Sequence, residues 1–148
     1  MNTTDEVGTM NNNDIMITGF DYSRIKSMID RMRDVFSKEQ KENADRLMME
    51  LRRAHKVDSP DIPRDCVTMN SFFEIKDLEE SGTRTLTLVF PENALIEENR
   101  VSILSPVGTA VLGYRVCDEI QWKVPAGMKK IIITRMLYQP EAAGDYHL

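Results

Sequence analysis

Residues 101–113, VSILSPVGTAVLG, constrain the chain more than any other stretch, because they spell the entry, body and stop of a short helix in succession. Ser105 suits an N-cap, its hydroxyl oxygen accepting from a backbone N–H of the first turn. Pro106 then falls at the first helical position, where the N–H it lacks would have had no partner. Ala110, Val111 and Leu112 fill the body, and Gly113 stands where a left-handed C-terminal residue is favoured. Val101 and Ile103, with Val107 after the turn, are apolar, while Ser102 faces the other way. The pattern predicts a strand running into a short helix that plugs a sheet.

The chain before this stretch has a different period. Residues 1–14 are polar, with Asn at positions 11 to 13, and predict a disordered extension. Residues 15–18 can form a short extended piece, which Gly19 breaks. Asp21 or Ser23 can cap a helix in which Ile25, Met28, Ile29, Met32, Val35 and Phe36 recur at three-and-four spacing. Arg24, Lys26, Asp30, Arg31, Arg33 and Asp34 occupy its opposite face. Residues 37–43 interrupt the stripe, and Ala44, Leu47, Met48, Leu51 and Ala54 begin a second one. Two amphipathic helices with a short connector lie antiparallel, stripe against stripe. Residues 15–57 therefore predict a short helical hairpin of coiled-coil type, reaching roughly 20 Å at ~1.5 Å per residue. Met28, Met32, Met48 and Met49 read as its packing.

Two prolines and two aspartates within residues 58–63 end the helical part, and residues 58–66 read as a linker. From residue 67 to 148 the pattern is β-rich. Candidate strands run over 66–75, 84–90, 101–104, 116–124 and 130–138, with turns at 77–82 and at Pro125-Ala126-Gly127. Leu86 and Leu88 alternate cleanly with Thr85 and Thr87. Helices followed by a run of turn-linked strands predict an α+β chain with an antiparallel sheet.

Composition narrows the chemistry. A length of 148 residues with 41% hydrophobic content suffices for a modest core. The net charge of −5 argues against a chain that coats nucleic acid. That charge is uneven: residues 21–56 hold ten Lys or Arg against seven Asp or Glu, and the later residues nine against fourteen. Cys66 and Cys117 form no CxxC, and only His55 and His147 could join them, so neither a disulfide framework nor a zinc site is expected. Reduced thiols, the lack of an eighteen-residue apolar run and a start without basic and apolar clusters predict a cytoplasmic protein with no membrane partner. No phosphate-cradling glycine loop is present. Ser105 has no evident base, since His55 lies on another element and His147 in the tail. No catalytic residue, cofactor, metal or small-molecule substrate is expected.

Ser105-Pro106-x-Gly108, Ala110-Val111-Leu112-Gly113, Asp118-Glu119-Ile120 and Pro125-Ala126-Gly127 together resemble the C-terminal domain of the GreA/GreB transcript elongation factors. Residues 67–71, VTMNS, and 138–146, YQPEAAGDY, are similar to the Rnk subfamily, short relatives named for regulation of nucleoside diphosphate kinase. The resemblance runs from about residue 59 to 148 and is weaker over the preceding helices. It implies an FKBP-like domain, a sheet half-wrapped around a short helix, and RNA polymerase as the partner, with DNA met only through the polymerase. In the longer factors the globular domain grips the rim of the polymerase secondary channel. Their hairpin enters that channel, and acidic tip residues help hold a magnesium while the polymerase cleaves backtracked RNA. Carboxylates suit that ion, which prefers hard oxygen ligands.

Carried onto this sequence, the resemblance assigns the grip to Leu104, Ser105 and Pro106. Leu104 stands where the elongation factors usually carry Asp, so an apolar contact replaces a charged one there. The hairpin tip holds Asp34, Glu39, Glu42 and Asp45, interleaved with Arg33, Lys38, Lys41 and Arg46. That mixture is the pattern of a solvated turn with surface pairs. The hairpin is about half as long as a cleavage factor's, which leaves its tip short of the active centre. The expectation is a non-enzymatic transcription regulator that occupies the channel rim and competes with GreA/GreB-type factors. The alternatives are transcript cleavage through the tip carboxylates, or regulation of nucleoside diphosphate kinase levels. Residues 139–145 are a second candidate surface, or a tail packed on the sheet. Phe72, Phe73, Phe90, Tyr114, Trp122 and Tyr138 read as core aromatics rather than a proline-binding pocket.

Overall fold

The computed structural model describes residues 15–148, so the expectation for residues 1–14 lies outside the described residues. Strand β1, Met16–Thr18, leads directly into helix α1, Gly19–Met32. The cap is Thr18, whose hydroxyl accepts from the Asp21 N–H at 3.0 Å. Neither Asp21 nor Ser23 caps. Asp21 is fully buried and its carboxylate is used elsewhere, accepting from Arg24 and from the Met69 N–H at 3.0 Å.

A single 3-10 turn, Arg33–Val35, ends α1. Ser37 and Gln40 then form a capping box that starts α2, Lys38–Arg53. The two helices run back along each other. Arg33 pairs with Asp45 at 2.7 Å, and Lys56, just past α2, sits 4.7 Å from the Tyr22 ring near the start of α1. Strand β2, His55–Val57, pairs in parallel with β1 and ties the two helix ends together.

A five-stranded sheet follows, with β3 (Phe72–Asp77), β4 (Thr83–Val89), β5 (Arg100–Ser102), β6 (Glu119–Val124) and β7 (Gly127–Tyr138) in the order β5-β4-β3-β7-β6. Three pairings are antiparallel, but β4 and β5 are parallel, so the sheet is mixed rather than antiparallel throughout. The parallel pairing is possible because β5 meets only Thr87–Val89, and the 3-10 turns Pro91–Asn93 and Ile96–Glu98 carry the chain back that short distance. The strand foreseen from residue 66 begins at Phe72. Asn70 adopts a left-handed conformation (φ 68°), and the Ser71 N–H donates to the Thr68 carbonyl, which makes a turn of residues 68–71. Pro125-Ala126 closes the β6–β7 hairpin, with Val124 opposite Gly127.

Helix α3, Pro106–Val111, plugs this sheet with Ser105 as its N-cap and Gly113 left-handed behind it (φ +88°). The helical stripes do not close on each other alone. Ile25, Met28, Ile29, Ala44, Leu47 and Leu51 belong to the same buried cluster as Phe73, Leu86, Leu88, Ile103, Val111, Ile131 and Ile133. Each of these side chains except the smaller Ala44 contributes about 1.5–3 kcal/mol on burial, and here it does so against sheet and helix together.

Candidate functional site: the loop before the plugging helix

The loop between β5 and α3 is fixed by its own hydroxyls. The Ser102 hydroxyl accepts from the Leu104 N–H at 2.9 Å. The Ser102 carbonyl accepts from the Ser105 N–H at 2.9 Å and from the Ser105 hydroxyl at 2.7 Å. The Ser105 oxygen in turn accepts from the Gly108 N–H at 3.1 Å. Thr109 donates from its hydroxyl to the Ile103 carbonyl at 2.8 Å. Gly108 lies so close to Ser102 that a Cβ would overlap the Ser102 carbonyl oxygen. The serine, the proline and the glycine of the motif are therefore one local device that holds Pro106 at the surface.

The three sequence-assigned contact residues separate. Ser105 and Pro106 are half-buried, whereas the Leu104 side chain is 2% exposed and packs in the core. The Leu104 carbonyl is held from the helical part: Asn43 donates its amide to it at 2.8 Å, and Arg46 reaches the Asn43 oxygen at 3.4 Å. Sequence reasoning missed Asn43. Its signal was its place on the buried face of α2, four residues before Leu47, where a polar side chain needs a partner.

Beside Pro106 lies a cavity of about 330 Å³ whose walls include Arg46 and Glu50 of α2, Ala110 of α3, and Tyr114 and Trp122. Burial raises the Tyr114 phenol above its ordinary range, with Glu50 and Asp118 adding to the shift, so its hydroxyl stays protonated. The Trp122 Nε1–H is buried without a hydrogen-bond partner among the described residues.

The tip residues form no second site of comparable order. Asp34, Glu39, Glu42 and Asp45 are all exposed, and Asp45 is engaged by Arg33. Among the described residues no group of three or more His, Cys, Asp or Glu side chains is placed to hold a metal. Cys66 is buried, which pushes its thiol up to about 12, while Cys117 is exposed. Of the aromatics, Tyr114 and Trp122 share the cavity, Phe73 lies in the core, Phe90 stacks on Arg24, and Tyr138 bonds Asp145. The tail packs inward: Gln139 donates to the Pro63 and Cys66 carbonyls at 2.7 Å each, and Glu141 accepts from Thr68 at 2.7 Å.

Comparison with known proteins bears on the family and the fold. Residues 62–138 match the family model "Transcription elongation factor, GreA/GreB, C-term", and residues 13–57 match "Rnk N-terminus". The chain is 42% identical over 106 residues to the regulator of nucleoside diphosphate kinase of Escherichia coli K12, covering 71% of this chain and 78% of that protein. It is 36% identical over 83 residues to the transcription elongation factor GreA of Clostridium novyi, but spans only 52% of that factor's length. A solved GreA/GreB elongation factor from Nitrosomonas europaea superposes with a TM-score of 0.68 at 34% identity, over 84% of this chain and all of that one. The chain belongs to the GreA/GreB family of transcription elongation factors, with an N-terminal segment of the Rnk type.

Proposed function

We propose that this protein is a non-enzymatic regulator of transcription elongation that binds RNA polymerase at the rim of its secondary channel and competes there with longer GreA/GreB-type factors. Family membership supports a regulator associated with elongation. The observation that carries the docking reading is the self-locked loop, in which the Ser105 hydroxyl is engaged as both donor and acceptor and Pro106 is held at the surface. Ser105 acts as the positioning residue and Pro106 as the face of the grip. Occupancy of the rim does not need the tip carboxylates, which are exposed and spread along the turn and α2. Regulation of nucleoside diphosphate kinase levels, the role in the name of the Escherichia coli relative, then follows indirectly from transcription.

The test is binding to core RNA polymerase with and without a full-length cleavage factor. Retention of the chain, and its displacement by that factor, are expected. Failure to bind, with the cleavage factor retained as control, would overturn the reading. Pro106→Asp, which keeps Ser105 and its cap, should lower the affinity at least tenfold.

A further inference from the structure

The cavity beside Pro106 takes part of its wall from the charged face of α2. The Tyr114 and Trp122 side chains line it as well. Three charged side chains reach it from α2. Two of them, Glu50 and Arg53, pair with each other at 2.9 Å. The third, Arg46, is exposed, and the bond it makes is a long one, 3.4 Å to the neutral Asn43 amide. A guanidinium that has no carboxylate partner among the described residues, in the wall of a pocket, favours an occupant that is negatively charged. The cavity sets the occupant's size. About 330 Å³ corresponds to roughly ten waters, room for one or two side chains and not for a whole helix.

We propose that this cavity, between α2, α3 and β6, receives an acidic side chain projecting from the partner polymerase, with Arg46 as its counter-ion, so that the helical part reads the partner's charge while Pro106 supplies the grip. The proposal rests on the docking reading above and adds the partner's chemistry to it. It also gives α2 a task that does not require its tip to travel. The carboxylate sits against Arg46, and an apolar neighbour on the same segment lies against Ala110 and Trp122. Asn43 links the two halves of the surface, since its amide holds the Leu104 carbonyl while its oxygen meets Arg46.

Two measurements on the full chain with core polymerase test this. Arg46→Glu should weaken binding at least tenfold, and Arg46→Lys should stay within threefold of the parent. Arg46→Gln removes the charge without adding repulsion to Glu42 and Glu50 on the same helix, and should weaken binding about threefold to tenfold. Thermal melts check that each variant is folded. In the second measurement a photo-crosslinking amino acid replaces Gln121 at the cavity mouth, and the polymerase peptide it captures is sequenced. A peptide containing Asp or Glu within a few residues of the crosslink is expected. If the parent binds polymerase but Arg46→Glu binds equally well, or the captured segment is basic, the cavity proposal is overturned while docking stands. If the parent itself does not bind, the docking reading fails and takes this one with it.

Discussion

Gly108 shows how little tolerance the docking loop has. Its α-carbon lies against the Ser102 carbonyl, the same oxygen that accepts two bonds from Ser105. Any Cβ at this position has to push backbone apart, and backbone cannot swing aside as a side chain can. Gly108→Ala should destabilise the protein by about 3–5 kcal/mol, the severe end for a single substitution, measured by urea unfolding. An effect under 1 kcal/mol would mean that the loop relaxes easily and that Ser105 is not held as described. The two thiols offer a separate check. The Cys66 thiol is buried and pushed up to about 12, whereas Cys117 lies exposed in a turn. One equivalent of a disulfide reagent should react promptly at pH 8, the second only on unfolding, and Cys117→Ser should abolish the fast phase.

At the scale of elements, the tail helix α4, Pro140–Ala143, is bound through a buried carboxyl. Burial holds Glu141 above the usual carboxylate range, and the hydrogen bond from Thr68 opposes that shift without cancelling it. The native state therefore prefers the protonated acid more than the unfolded chain does. The favourable contribution is full below the ordinary glutamate range, near 4.3, and is lost as pH rises through the higher native value. Glu141→Gln keeps an oxygen for Thr68 and carries no charge. Its stability should gain on the parent's between pH 4 and pH 7 in urea titrations. A difference that stays flat, or runs the other way, would show that the carboxylate is well solvated. The elements themselves were legible in the sequence where the signal was local. Ser105-Pro106 with Gly113 marked both ends of α3, Pro125-Ala126-Gly127 marked the last hairpin, and the apolar spacing marked both long helices. What was not legible was non-local. The β1–β2 pairing joins three-residue strands separated by both helices, and the β4–β5 pairing became parallel through two 3-10 turns without periodicity. The cap was also hidden, because Asp21 looked like a cap by type but its carboxylate accepts from Arg24 and from the Met69 N–H, 48 residues further along the chain, and not from the first-turn N–H groups of its helix. Of the candidate site, Ser105 and Pro106 could be read from the motif. Asn43, Arg46 and the cavity could not, since they depend on how α2 lies against α3.

For the whole molecule, the decisive feature is that helices and sheet bury their apolar faces in one cluster. The helical stripes could have been satisfied by each other, leaving an arm that melts independently of the sheet. Instead Leu47, 1% exposed, packs in the cluster that also holds Phe73 and Ile133, and hydrogen bonds cross from α2 to the Leu104 carbonyl and from the Met69 N–H to Asp21 of α1. Two units joined by so much buried contact lose their stability together, because opening either exposes the other's core. The helices can be followed by circular dichroism at 222 nm and the sheet by fluorescence of Trp122, which is the only tryptophan. Both signals should fall in one urea transition with the same midpoint. Leu47→Ala should cost about 2–5 kcal/mol and move both midpoints down together, by roughly 1–2.5 M at a slope of about 2 kcal/mol per molar urea. Loss of the helical signal at lower urea, with a further Trp122 transition remaining at higher urea, would show that the helices are a separate arm. In that case the cavity between α2 and α3 would not be a fixed surface on which a partner's side chain could be read.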